Sequence, residues 1–232
     1  MPRQFSLALM FPILISLILV LGACGGSGSD QNSSAATVDG AVPGSLTMDE
    51  AQHEAWEISL VEMRIEKNEA FADPRRTPLP TAALEDFEGL NYYLPVPEMR
   101  FRTPFLAEAG ADTVLLTKRA GQEVPYIKRG TVRFRWRDED HSLDVFGPVS
   151  PQGEDYLWLP FFDATSGQET YGGGRYLDIE VDEEGMVDLD FNFCYNPLCD
   201  YNAERYNCTL PPVGNTLPFP VNAGEKAFSQ DP

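Results

Sequence analysis

The chain has 232 residues, of which 43% are hydrophobic and 11% aromatic, and a formal net charge of −19 at pH 7. This composition provides a core for one large domain or two small ones. Because so acidic a surface repels nucleic acid, we exclude a nucleic-acid-binding role. The two histidines, His53 and His141, have no metal-ligand spacing, so we expect no metal site, and we expect no cofactor.

The N-terminal residues have the layout of a signal peptide, with Arg3 before an apolar run from Phe5 to Leu21. The run ends in Leu21-Gly22-Ala23-Cys24, which resembles the lipobox of bacterial lipoproteins. The resemblance implies cleavage before Cys24, a lipid on its thiol and acylation of the new amino group, which together anchor a protein stably in a membrane. Because the next residue is Gly25 and not Asp, it also implies the periplasmic face of the outer membrane. A permanent transmembrane helix is the alternative.

We therefore divide the chain into a signal peptide (1–23), a flexible tether (24–46) and a single domain (47–232). The tether consists mainly of Gly, Ser, Asn and Ala, residues that bury little apolar surface and leave a chain flexible.

An amphipathic helix opens the domain. Thr47 or Asp49 provides the N-terminal cap. Apolar side chains at helical spacing give the helix a buried face, and Asp73-Pro74 ends it. The apolar set is Trp56, Leu60, Met63 and Phe71.

A proline-rich connector follows, which excludes a long helix or a central strand up to Phe105. From Thr113 onward the apolar residues recur with a period of two, which is typical of strands. The predicted strands are 114–116, a buried one, and 131–137, 142–146, 156–162, 175–181 and 186–193. Turns at 138–141 and 183–185 predict two hairpins. The chain is therefore predicted to be mainly β, an antiparallel barrel or sandwich with one N-terminal amphipathic helix.

One strand face carries Arg133, Arg135 and Arg137, opposite acidic residues that include Asp144. A solvated cross-strand charge ladder explains this row, and an anion-binding face is the alternative.

Long motifs mark the segment 161–226 and its upstream neighbour 87–93. They read F-x-D-x-T-x-G-x-E-T-Y-G-x-G-R-Y-L, D-F-N-x-x-Y-N-P-x-C, C-x-L-P-P and A-G-E-K, with F-x-G-L-N-Y-Y upstream. The chain thereby resembles the bacterial and archaeal family called domain of unknown function 1684 over most of residues 47–232. It departs at Phe193, where the family has a basic residue, and at Thr209, where it has proline. The resemblance implies no activity.

Gly172-Gly173-Gly174 precedes a period-two strand and not a helix, so we interpret it as a tight turn or a close approach to a ligand, not a phosphate cradle. Polar residues gather around it: Asp163, Tyr171, Arg175, Asp190, Asn192, Tyr195 and Asn196. They predict a site for a small polar or anionic ligand, with Arg175 as the side chain that such a ligand needs. In the alternative, Arg175 forms a buried structural pair with Asp163, Glu169 or Asp190.

Three functions stay open at this point. The first is a cell-envelope lipoprotein that binds a small ligand at the signature face. The second is an extracytoplasmic hydrolase that uses Asp190 or Asp163 with Tyr171 and Arg175. The third is a purely structural envelope lipoprotein.

Lipidation of Cys24 leaves three cysteines in an oxidising compartment. We predict a Cys199–Cys208 disulfide that closes a polar, irregular loop, with Cys194 as a free thiol. A zinc site is the competing interpretation, but the spacing is not C-x-x-C.

Overall fold

The computed structural model describes residues 41–110, 112–149 and 156–228. The predicted signal peptide, Cys24 and most of the predicted tether lie outside the described residues. The last tether residues are described and contact the domain. The backbone N–H of Arg135 donates to Pro43 O at 2.7 Å, and that of Leu46 donates to Arg100 O at 2.7 Å. The folded body therefore includes residues from Pro43 onward, a few residues earlier than the predicted start at 47.

The N-terminal helix, α1, spans Glu50–Ala72. Asp49 caps it, since its side chain accepts from Gln52 N at 2.9 Å and Gln52 Oε1 accepts from Asp49 N at 3.0 Å. Trp56, Leu60 and Phe71 are buried, which confirms the predicted apolar face. The other α-helices are short, α2 at Thr81–Glu85 and α3 at Leu198–Tyr201. No helix in the described ranges combines the length and apolar character needed to span a membrane.

The described residues contain eight strands. They are β1 (Arg100–Pro104), β2 (Leu106–Ala107), β3 (Thr113–Thr117), β4 (Glu123–Trp136), β5 (Glu139–Pro148), β6 (Leu157–Phe161), β7 (Arg175–Ile179) and β8 (Met186–Asp190). One sheet has the order β2-β4-β5-β6-β7 with β3 also paired to β4, and β1 pairs with β8 in a second sheet. Every strand pair is antiparallel. The mainly β fold with an N-terminal helix is thus confirmed, as an open, sandwich-like arrangement and not a closed barrel.

The main core joins both sheets through four phenylalanines, Phe101, Phe134, Phe161 and Phe191, each at most 1% exposed. The ring centroids of Phe101 and Phe134 are 4.7 Å apart, and those of Phe161 and Phe191 are 5.3 Å apart. Burial of each such ring contributes about 1.5–3 kcal/mol. A second cluster, Phe71, Leu79, Leu90 and Tyr201, attaches α1 to α3.

The turn at 183–185 forms, but the predicted hairpin around it is wrong. Gly185 has a φ of +75° and its N–H donates to Asp182 O at 3.0 Å. The strands on either side then join different sheets, because β8 takes β1 as its partner. The connector thus contains a sheet strand, β1, that was not predicted. It pairs only with β8 in a two-stranded sheet and is not a central strand, as the prolines required.

Three further strand predictions need correction. Leu115 is 60% exposed, because β3 pairs only with β4 and is not a buried strand. The β4–β5 turn is confined to Arg137 and Asp138, both with positive φ, so β5 begins at Glu139 instead of residue 142. The last strand ends at Asp190, whose side chain accepts from Asn192 N and caps a 3₁₀ turn over Phe191–Phe193.

The Cys199–Cys208 disulfide is present, with Cα atoms 5.9 Å apart, as predicted. Cys194 is buried and carries no disulfide. Burial raises the pKa of its thiol to about 11, so it is not a reactive thiolate at neutral pH.

Candidate functional site

Arg175, the predicted ligand-binding side chain, lies in the core and is 0% exposed. Nη2 donates to Asp163 Oδ2 at 2.9 Å and to Val221 O at 2.7 Å, and Nη1 donates to Ala223 O at 2.6 Å. The guanidinium therefore ties β7 to the C-terminal segment. Of the two roles that the sequence left open, the structure has the buried pair with Asp163.

Asp163 is equally committed to internal contacts. Its Oδ1 accepts from Thr165 N at 2.8 Å, from Thr165 Oγ1 at 2.6 Å and from Val221 N at 3.1 Å. With the Arg175 contact, both carboxylate oxygens are occupied inside the protein. Neither residue is open to a ligand, so the hydrolase alternative loses Asp163 and Arg175 as accessible groups.

The glycine turn before Arg175 lets the backbone pack closely against neighbouring groups. Gly174 has a φ of +82°, and a Cβ there would lie 2.7 Å from Phe161 O. Only glycine combines that conformation with that approach. Tyr171 covers the neighbouring Gly173, where a Cβ would lie 2.3 Å from the tyrosine ring.

Asp190 and Asn192 anchor α1 and the connector. Asp190 Oδ2 accepts from Trp56 Nε1 at 2.7 Å and lies 2.9 Å from Arg100 Nε. Burial raises the pKa of Asp190, while hydrogen bonds from Asn192 and Trp56 oppose the rise. Asn192, 0% exposed, pairs its amide with both backbone groups of Val96, at 2.7 Å and 2.9 Å.

A third buried network surrounds Glu225, which is 0% exposed. Its carboxylate accepts from Lys67 Nζ at 2.6 Å, from the Tyr201 hydroxyl, and from Asn196 N at 3.3 Å. The Lys67 ammonium also lies 5.4 Å from the centroid of the Tyr195 ring, within cation–π range. This network ties α1 to the C-terminal segment.

An open cleft of about 1350 Å³ lies beside these networks, with α1 as one wall and β7 and β8 as the other. We call it the helix cleft. It exists because β7 and β8 diverge after their turn into separate sheets. Apolar lining comes from Leu46, Met48, Trp56, Met63, Leu177, Ile179, Val181, Met186 and Phe193.

Charge in the helix cleft is predominantly negative. Six acidic residues line it: Asp178, Glu180, Asp182, Asp188, Asp190 and Glu225. The three basic lining residues are all paired internally: Lys67 with Glu225, Arg100 with Asp190, and Arg102 with Asp182 at 2.5 Å. Phe193 adds an aromatic ring to this lining. The cleft thus offers an apolar floor and an acidic rim, which favours a polar or cationic ligand over an anionic one.

The structure divides the seven predicted site residues among different places. Asp190 and Tyr195 line the helix cleft. Asp163, Arg175 and Asn192 are buried, and Tyr171 does not line the helix cleft. Asn196, 2% exposed, donates its side-chain amide to Asp200 and to Lys226 O.

Sequence reasoning missed Trp56, Lys67, Arg100 and Glu225 as members of these networks. One signal was present, since Lys67 lies between Met63 and Phe71 at four-residue spacing on the apolar stripe of α1. A lysine in that position needs a buried acid, and the A-G-E-K motif contains one in Glu225.

The described residues contain no group of His, Cys, Asp and Glu side chains arranged to hold a metal ion. Neither histidine lines the helix cleft. His53 lies 3.5 Å from Glu57 on α1, and His141 packs against Phe134 and Phe219.

Comparison with known proteins agrees with the sequence motifs. A family model described as "Protein of unknown function (DUF1684)" matches residues 85–226, more than half of the chain. The chain is also similar to the solution NMR structure of an uncharacterized protein from Haloarcula marismortui, with 31% identity and a TM-score of 0.62 over 79% of this chain and 100% of that one. No curated protein matches. The chain therefore belongs to the DUF1684 family.

Proposed function

We propose that the protein is a lipid-anchored protein of the bacterial cell envelope whose folded body binds a small polar or cationic ligand with an apolar part in the helix cleft. The observation that carries the binding role is the cleft itself, because six of its nine apolar lining side chains remain partly exposed between α1 and the diverging strands β7 and β8. Soluble domains rarely leave such a concave apolar surface without a use.

Two features support the envelope location. The Leu21–Cys24 sequence resembles a lipobox after an apolar run of signal-peptide length. The Cys199–Cys208 disulfide is of a kind that persists in oxidising compartments and is rare in the cytosol. We further propose the periplasmic face of the outer membrane, from Gly25 after the lipobox.

Replacing Cys24 with Ala tests the anchor. Without the thiol no acyl chain is attached, so the variant is expected to leave the membrane fraction or to remain unprocessed. Fractionation with immunoblotting, together with mass spectrometry of the mature N-terminus, measures both. A matched Cys194→Ala variant should stay lipidated and in the membrane. A Cys24→Ala protein processed and membrane-bound like the wild type contradicts the proposal.

A cleft-filling substitution tests ligand binding. Ala55 lies on the exposed face of α1 and lines the helix cleft, so Ala55→Phe occupies the space without removing a core contact. Ala51→Phe, equally exposed on the same helix but outside the cleft, is the matched control. Small molecules released from the purified full chain, identified by mass spectrometry, should be present with wild type and Ala51→Phe and lost with Ala55→Phe.

Identical released molecules from all three proteins, or none from any of them, contradict the binding role. Thermal melting of each variant shows whether a loss comes from unfolding instead of from a filled cleft.

A further inference from the structure

A second pocket, of about 580 Å³, is lined by an unusually dense set of aromatic side chains. We call it the aromatic pocket. Its rings belong to Phe71, Tyr126, Tyr156, Trp158, Tyr176, Tyr195, Tyr201 and Tyr206. They come from α1, α3, three strands of the large sheet and the loops beside them. Lys67 and Tyr195 line both this pocket and the helix cleft, so they form the wall between the two.

The aromatic pocket differs from the helix cleft in the charged residues that line it. Among the described residues that line it there is no Asp or Glu, whereas Lys67 and Lys118 both line it. The chain as a whole has 36 acidic and 17 basic residues. A lining without acids is therefore a local exception on this protein, and it lowers the cost of bringing an anion close.

Most of the tyrosine hydroxyls in the aromatic pocket already have internal acceptors. Tyr156 and Tyr195 donate to Asp178 Oδ1 at 2.9 Å and 2.7 Å. The hydroxyl of Tyr176 donates to Thr209 O, and that of Tyr201 donates to Glu225. These bonds fix the rings in a preformed arrangement. Tyr176 and Tyr201 are buried, so the ring surface open to a ligand belongs to the exposed Tyr156 and to the half-buried rings of Tyr126, Tyr195 and Tyr206.

The two lysines of the aromatic pocket differ in their partners. Lys67 is neutralised by Glu225 at 2.6 Å. Lys118 forms no ion pair with any residue in the described ranges. Its backbone is held in place by a bridge to Thr209. One positive charge is thus left at the pocket without a described carboxylate to neutralise it.

We propose that the aromatic pocket binds an aromatic carboxylate, with its ring packed against the partly exposed tyrosine side chains and its carboxylate near Lys118. The pocket volume lies within the range of about 300–1,000 Å³ that is usual for small-molecule sites. This site is separate from the helix cleft, so the proposal stands or falls independently of the ligand proposed there.

Calorimetric titration of the full chain, held in lipid nanodiscs to keep its apolar N-terminal segment in solution, tests this proposal. The probe is 2-naphthoate, with 2-naphthalenemethanol as its neutral isostere, cyclohexanecarboxylate as an anion without an aromatic ring, and choline as a cation. Empty nanodiscs provide the blank. We expect 2-naphthoate to bind about fivefold more tightly than the alcohol, since one partly exposed ion pair contributes a difference of that order. Cyclohexanecarboxylate should bind more weakly still, and any binding of choline, which the helix cleft could accept, should not change in the Tyr156→Ala variant.

Variants place the ligand in the aromatic pocket. Lys118→Met should abolish the preference for naphthoate over the alcohol while leaving the affinity for the alcohol unchanged. Tyr156 is 46% exposed, so Tyr156→Ala removes ring surface at low cost in stability and should weaken both ligands about tenfold. Tyr171→Ala, a matched change outside the pocket, should alter neither affinity.

No binding of 2-naphthoate at millimolar concentration overturns the proposal, as does equal affinity for the acid and the alcohol. Choline binding that Tyr156→Ala weakens, or naphthoate binding that Tyr156→Ala leaves intact, also overturns it. The comparison of ligands on the wild-type chain decides the charge preference even if a variant fails to fold.

Discussion

At the scale of single residues, Arg175 shows how a signature side chain serves the fold. A guanidinium that is 0% exposed loses its hydration, and that loss is costly unless every lost contact is replaced. Here one carboxylate and three backbone carbonyl groups of the C-terminal segment replace most of these contacts, and only Nε of the guanidinium has no partner among the described residues. The planar fork with several donors suits arginine for this task, and lysine does not offer the same geometry.

Replacing Arg175 with Met should lower the free energy of unfolding by about 3–5 kcal/mol, because Asp163 is then left as a buried, unpaired charge. Urea denaturation at pH 7 measures the change. Arg133→Met is the control, since Arg133 is exposed on β4 and its loss should change stability by less than about 0.5 kcal/mol. Combining Arg175→Met with Asp163→Asn should cost less than the sum of the two single changes. A stable Arg175→Met protein would show that the pair is dispensable.

At the scale of secondary-structure elements, the local sequence pattern predicted where α1 and most of the strands lie, but not which strands pair with each other. Helix α1 has its cap, its apolar face and its stop within one stretch of sequence, so its end was predicted correctly and its cap, Asp49, was one of the two candidates predicted. The strand at 186–190 has its correct face, but its partner β1 lies more than eighty residues earlier. Periodicity carries no information on pairing between distant strands. Because prolines surround β1, no strand was predicted there, although Pro104 lies at the end of the strand, where proline is tolerated.

The Lys67–Glu225 pair is expected to hold α1 against the C-terminal segment. Lys67→Met keeps the length of the side chain but leaves Glu225 buried without its cation, so the free energy of unfolding should fall by about 3 kcal/mol. Amide hydrogen exchange in the second half of α1 should become faster.

Lys128→Met provides the matched control for Lys67. Its two ion pairs, with Glu108 and Asp144, have partners whose side chains are 47% and 36% exposed, so the change should cost less than about 1 kcal/mol. Adding Glu225→Gln to Lys67→Met should recover part of the loss, because the unpaired charge is removed. Equal effects of Lys67→Met and Lys128→Met would show that α1 does not depend on this pair.

At the scale of the whole molecule, the sequence predicted the fold class, the disulfide and the family, but not the two cavities. Both cavities depend on contacts between elements far apart in the chain: α1 with β7 and β8 in one case, and α1 with α3 and the large sheet in the other. The signature motifs identified polar residues correctly as special. They could not show that Asp163 and Arg175 are enclosed, because enclosure depends on the C-terminal segment folding back over β7.

The Cys199–Cys208 disulfide joins α3 to the segment that pairs with the end of β3. Cys199 lies in α3, whose Tyr201 packs with Phe71 of α1. Cys208 is followed by Thr209, which forms a bridge with Lys118 after β3. The bond therefore holds the α1–α3 cluster next to the sheet, at the edge of the aromatic pocket.

Closing this short loop is worth about 2.5 kcal/mol in the chain-entropy model. The free energy of unfolding of a Cys199→Ser, Cys208→Ser double variant, measured by urea denaturation, should therefore be lower by that amount. Wild type treated with a phosphine reductant should fall to the same stability, whereas the double variant should not respond to the reductant, which excludes an effect through Cys194. If the reduced wild type keeps its full stability, or if the double variant also responds to the reductant, the bond does not stabilise the fold. A measured loss of the expected size would mean that the protein reaches its full stability only where the disulfide can form, which connects its fold to the oxidising compartment proposed for it.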